Sequence, residues 1–206
     1  KFIKDIYSES WALIIGINDY QNVDPLSYAV DDAIAINNML IEKYGFNEEN
    51  IKLIINEEAT KDNIMNGFQN IVLSAGEKDR IVVFYAGHGD TYPLPNGGDM
   101  GYLIPVDGHV SKEKIFLTSI SMETIEQLAD MSAAKHILYL VDACYGGLTL
   151  NTRGLSKEQT PEYLKKMTQE KGRQVITAGG KDEEVMEKAE WGHSAFTKNL
   201  LKGLEN

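Results

Sequence analysis

Two reactive side chains in this 206-residue sequence are flanked by glycine. The only cysteine, Cys144, lies in "HILYLVDACYGG" (His136–Gly147), where an apolar run ends in Asp142 and two glycines follow the thiol. His88 stands between Gly87 and Gly89 in "FYAGHGD". A thiol is mostly protonated at neutral pH. An imidazole within hydrogen-bond reach removes its proton, and an adjacent imidazolium lowers its pKa. Glycines beside such groups admit tight turns and leave backbone N–H groups accessible to an anionic intermediate. Taken singly, a lone cysteine is most often a small buried hydrophobe and a loop histidine does no chemistry. The pair acquires meaning only if the fold brings both to one edge.

The elements that must do so follow from the hydrophobic pattern. "WALIIGI" (11–17), "IKLII" (51–55), "RIVVFY" (80–85), "HILYLV" (136–141) and "RQVITA" (173–178) are short apolar runs bounded by turn residues, and read as strands. Between them, "DDAIAINNMLIEKY" (31–44) has apolar residues at helical spacing and stops at Gly45. Thr60 caps a helix running to Ser74, and Ser121 caps one over "METIEQLADM". Thr160-Pro161 opens a helix through Lys171, and "HSAFTKNLLKGLE" (193–205) closes the chain as an amphipathic helix. The Gly- and Pro-dense stretch 86–101 reads as a loop. Alternating strands and helices predict a single α/β domain over residues 1–206, with a mostly parallel sheet flanked by helices on both faces. Ligands of such sheets bind beyond the carboxyl ends of the strands, where both His88 and Cys144 fall.

Composition removes other functions. A net charge of -11 and a pI of about 4.8 argue against a nucleic-acid or anionic-membrane surface. No apolar run approaches the ~20 residues of a membrane span. A single cysteine and the absence of an N-x-S/T sequon fit a reducing cytoplasm. No histidine pair has zinc-ligand spacing, so no metal and no cofactor are expected, and no phosphate-binding P-loop or dinucleotide fingerprint occurs. The first residue is Lys1 rather than Met, which reads as a fragment of a longer protein.

The residues also carry a resemblance. "DACYG" follows His88 by 56 positions (144 − 88), and resembles the caspase signature Q-A-C-x-G with its upstream histidine. "ALIIGINDY", "YAVDDAIAINNML", "GYLIPVDG", "RQVITAGG" and "GHSAFTKNLL" look like further blocks of the caspase-like superfamily, nearest its bacterial members, paracaspases and metacaspases. The resemblance implies a caspase-like three-layer fold and cysteine endopeptidase activity. His88 and Cys144 would form the dyad, and the backbone N–H groups of Gly89 and Cys144 the oxyanion hole. Ala86 matches paracaspases rather than metacaspases, so a calcium requirement is not expected. The implied partners are protein or peptide substrates, together with a regulatory domain or partner protein. A rival reading is a catalytically silent caspase-like scaffold, although such domains typically lack the His or the Cys.

The carboxylate two residues before the thiol needs its own reason. Side chains alternate along a strand, so Asp142 and Cys144 leave its end on the same side. An uncompensated carboxylate there disfavours a thiolate, which makes sense if a substrate cation enters during catalysis. By the resemblance, Asp32 and Glu187 join Asp142 in an acidic pocket for a substrate Arg or Lys, with Arg preferred because its planar fork pairs two carboxylates. Residues 148–172 would be the counterpart of the caspase linker, with Arg153 and Lys157 as self-cleavage candidates.

Overall fold

A computed structural model describes residues 6–143, 171–178, 187–188 and 190–204. Five strands form a wholly parallel sheet: β1 (Ser10–Gly16), β2 (Ile51–Ile55), β3 (Arg80–Ala86), β7 (His136–Asp142) and β8 (Gly172–Thr177), in the order β2-β1-β3-β7-β8. All five runs expected as strands are strands, each within a residue of its expected bounds. The central ones are legible because a parallel sheet covered on both faces demands unbroken apolar runs rather than alternation. Ala12, Leu13, Ile14 and Ile15 in β1 are all buried, as are Ile81 through Ala86 in β3.

Alternate side chains feed two cores. On one face Leu13, Ile15, Val83, Tyr85, Ile137 and Tyr139 pack against α2 (Lys61–Ser74) and α4 (Met122–Asp130). On the other, Ala12, Ile14, Val82, Phe84 and Leu140 pack against α1 (Ala29–Glu42) and α5 (Ala195–Leu204). The caps expected for α2 and α4 are present: Thr60 Oγ1 accepts from Asn63 N–H, and Ser121 Oγ from Thr124 N–H, each at 3.2 Å. Helix α1 begins two residues earlier than its acidic pair suggested, since Asp32 N–H already donates to the carbonyl of Tyr28. The helix expected over 161–171 falls almost wholly outside the described residues.

Two expectations fail. Residues 86–101 are not simply a loop but carry β4 (Gly89–Pro93) and the start of β5 (Asp99–Leu103), an antiparallel hairpin. The glycines concentrate at its tip, where Gly97 and Gly98 take φ of +89° and +85°. Composition marked the turn correctly and hid the pairing on either side of it. A short helix α3 (Ile115–Thr118) and β6 (Ile120–Ser121), which pairs with β5, complete this small sheet. Two further short strands, β9 (Glu187–Lys188) and β10 (His193–Ser194), pair antiparallel; β10 occupies what the sequence suggested was the first turn of α5.

Helix α1 is seated on β1 by glycine. A Cβ at Gly16 would lie 2.5 Å from the carbonyl oxygen of Ala29 and 2.6 Å from Cβ of Ala33, so helix and strand meet almost backbone to backbone. Gly16→Ala should therefore push α1 off the sheet and cost about 1–3 kcal/mol, read as a lower urea midpoint at unchanged slope.

Candidate active site

The pairing of β3 with β7 runs in register from Arg80↔His136 to Ala86↔Asp142. It is extended by Gly87 N–H, which donates to the carbonyl of Asp142 at 3.2 Å. His88 is thus two residues past the last pair on one strand, and Cys144 two residues past it on the other. Cys144 itself lies outside the described residues, as do Arg153 and Lys157. Gly89 begins β4, opposite Leu103.

His88 is held at every polar point of its backbone and at one ring nitrogen. Its N–H donates to Tyr20 Oη at 2.7 Å. Its carbonyl accepts from Tyr85 Oη at 2.7 Å and from Ile104 N–H at 3.0 Å. Nε2 lies 2.8 Å from the carbonyl oxygen of Asp24. A carbonyl only accepts, so Nε2 carries the hydrogen and Nδ1 of the neutral ring keeps its lone pair, free to take a proton. Gly87 is required here, because a Cβ would sit 2.5 Å from Tyr20 Oη and 2.8 Å from Tyr85 Oη. The loop that supplies Tyr20 and Asp24 is tied down in turn. Asn56, at φ +42°, accepts the N–H groups of Asn18 and Asp19 on its Oδ1 and donates Nδ2 to Asp19 Oδ2.

The acids expected in the pocket converge on the same corner. Asp32, 1% exposed, accepts from His193 Nδ1 at 2.6 Å and from Ser194 N–H at 3.2 Å. Asp142, 5% exposed, accepts from the hydroxyls of Ser194 and Thr197, both at 2.5 Å on Oδ2. Ser194 Oγ also accepts Thr197 N–H at 2.9 Å, capping α5 and placing the helix's positive end beside Asp142. Glu187 on β9 pairs in register with Ser194. Ser194 therefore touches Asp32 through its amide and Asp142 through its hydroxyl, and neighbours Glu187 through the ladder. Burial pushes the Asp32 carboxyl up to about 6; hydrogen bonds from His193 and Ser194 oppose that rise, and the charge of Asp142 adds to it.

Other residues have structural roles. Asp107 Oδ1 accepts the N–H of Lys61 at the start of α2, and His109 N–H donates to Thr118 Oγ1. Among the described residues no group of three or more His, Cys, Asp or Glu could hold a metal ion, and no helix is long and apolar enough to cross a membrane. Sequence reasoning missed Tyr20, Asp24, His193, Ser194 and Thr197. For Ser194 a signal existed: a serine three residues before a helical position is an N-cap pattern.

The state of Asp32 has a measurable consequence. A carboxyl whose pKa is raised on folding holds its proton more tightly in the folded chain. Its contribution to stability is full below about pH 4 and is lost as pH rises through about 6. The stability of wild type relative to Asp32→Asn, from denaturant titrations between pH 4 and 7, should fall as pH rises across that window.

Comparison with known proteins bears on the family and the fold. A family model described as the caspase domain matches residues 9–206. The chain is 31% identical over 166 residues to Metacaspase-6 of Arabidopsis thaliana, covering 75% of this chain and 42% of that protein. It is 27% identical over 203 residues to Metacaspase-4 of the same plant, covering 93% and 43%. The chain thus spans about two-fifths of the length of these curated relatives. A crystal structure of a Geobacter sulfurreducens protein superposes with a TM-score of 0.69 at 18% identity, covering 96% of this chain and 82% of that one; at such identity the likeness concerns the fold. The family match spans the strand ends that carry His88 and Asp142, and with it the chain belongs to the caspase-domain family of the caspase-like cysteine peptidase superfamily.

Proposed function

We propose that this domain is a cysteine endopeptidase that cleaves protein substrates after basic residues, arginine before lysine, through a Cys144–His88 dyad, in a reducing compartment such as the cytoplasm. The observation that carries the reading is the corner itself. Two buried carboxylates, Asp32 and Asp142, meet at Ser194, which bonds the first through its amide and the second through its hydroxyl, where β7 ends two residues before the only thiol. Their partners include a histidine, two hydroxyls, a backbone amide and a helix end, and on this reading a substrate guanidinium would pair with both carboxylates.

In the first step Nδ1 of His88 takes the Cys144 proton, and the sulfur attacks the carbonyl carbon that follows the basic residue. The C=O π pair moves to oxygen, and the N–H groups of Gly89 and Cys144 stabilise that oxyanion. Collapse breaks the C–N bond, with the imidazolium giving its proton to the leaving amine. Water, deprotonated by the same imidazole, then hydrolyses the thioester and returns the thiol. The Asp24 carbonyl on Nε2 supports this cycle by steadying the imidazolium. A substrate aspartate in the pocket would meet acids of its own sign and be rejected. Glu187, beside Ser194 in the ladder, belongs to the pocket on this reading.

Matched peptides ending in Arg, Lys and Asp before the scissile bond provide the test. Arg should be cut fastest and Asp not at all. Cys144→Ala should abolish cleavage, and His88→Ala should cost about 10²–10⁴ in kcat/KM. Asp142→Asn should selectively weaken Arg cleavage; efficient cutting after Asp, or undiminished Arg cutting by Asp142→Asn, would refute the pocket. If the domain processes itself, prolonged incubation of wild type should yield fragment masses ending at Arg153 or Lys157, absent from Cys144→Ala.

A further inference from the structure

The structure assigns to Tyr20 the role of positioning residue for His88, setting the ring's orientation through a phenol pair packed under Gly87. The assignment rests on the peptidase reading and adds to it a side chain that acts through His88. Three contacts point to it. Tyr20 Oη accepts the His88 N–H at 2.7 Å. The two rings lie 4.8 Å apart at 52°, so the phenol face limits how far the imidazole can swing. The Tyr20 hydroxyl is also bonded to that of Tyr85, which donates to the carbonyls of His88 and Ile104 at 2.7 and 2.8 Å.

The two phenols therefore grip the amide and the carbonyl of one residue from beneath, and Gly87 exists as glycine because they fill the space a Cβ would need. Burial pushes the Tyr20 hydroxyl up to about 12, so it remains neutral across the working pH range. It is a fixed contact rather than a proton source. Tyr20 also lies four residues before Asp24 on the same loop. Moving Tyr20 shifts the carbonyl that holds Nε2, and with it the direction of Nδ1.

A residue that merely stabilised the fold would lower the melting temperature without altering the chemistry of the dyad. A positioning residue must change the thiol. With the imidazole less well held, the imidazolium that stabilises the thiolate is weakened, so the thiolate forms at higher pH. Tyr20→Phe keeps the ring and deletes only the hydroxyl. Its expected kcat toward an Arg peptide is 10- to 100-fold below wild type, with KM within about 2-fold. The pH profile of Cys144 alkylation by iodoacetamide should shift upward by at least half a unit, about a 3-fold loss of thiolate at a given pH on its rising limb. In a His88→Ala background the same substitution should change neither quantity, since Tyr20 acts only through that ring. A Tyr20→Phe protein with wild-type kcat and an unmoved alkylation profile overturns the assignment, whatever its melting temperature. So does an equal effect in the His88→Ala background. If wild type and His88→Ala share one alkylation profile, the dyad itself fails and Tyr20 has nothing to position; that outcome differs from an intact dyad indifferent to Tyr20.

Discussion

The constraint on which this site depends is the register of β3 against β7. Seven consecutive parallel pairs end together at Ala86 and Asp142, and one more hydrogen bond from Gly87 to Asp142 draws the two chains onward side by side. A slip of one residue would turn every side chain of β7 to the opposite face. Tyr139 and Val141 would leave one core and Leu140 the other, and Asp142 would turn away from Ser194 and Thr197. The hydrophobic core therefore enforces the alignment of the strand ends that lead to His88 and Cys144.

Around those tips the protein manages charge by enclosure. Asp32 and Asp142 come from different elements, and both are buried at a point where carboxylates repel one another. They are tolerated because one short segment, His193–Thr197, delivers an imidazole, an amide, two hydroxyls and a helix N-terminus to them. On the proposed reading, a basic substrate side chain would pair with acids held by these hydrogen bonds.

Much of this was legible in the residues. The strands could be read because burial on both faces requires continuous apolar runs, and α2 and α4 because Thr60 and Ser121 cap them locally. Asp142 was marked by its place before the thiol, whereas Asp32 came to the site through the resemblance, its position alone reading as an ordinary first-turn acid. What escaped depends on partners distant in the chain. His88 meets Tyr20 and Asp24 across 68 and 64 positions, and Asp142 meets Ser194 and Thr197 across 52 and 55. No local pattern encodes such pairs. The β4–β5 hairpin escaped for a related reason: Gly and Pro reveal a reversal of the chain but not whether its flanks bond.

The reach of Asp32 to His193 and Ser194 spans 161 and 162 positions, nearly the whole described chain. Contacts of that separation carry the greatest loop-closure entropy and form late in folding. During synthesis, β1 through β7 can be assembled while Asp32 and Asp142 still face water, awaiting a segment not yet made. The acidic corner is therefore a feature of the finished polypeptide alone. A nascent or truncated chain lacking His193–Thr197 would hold two acids without these partners, and the corner proposed here as a pocket would not yet exist among the proteins emerging around it.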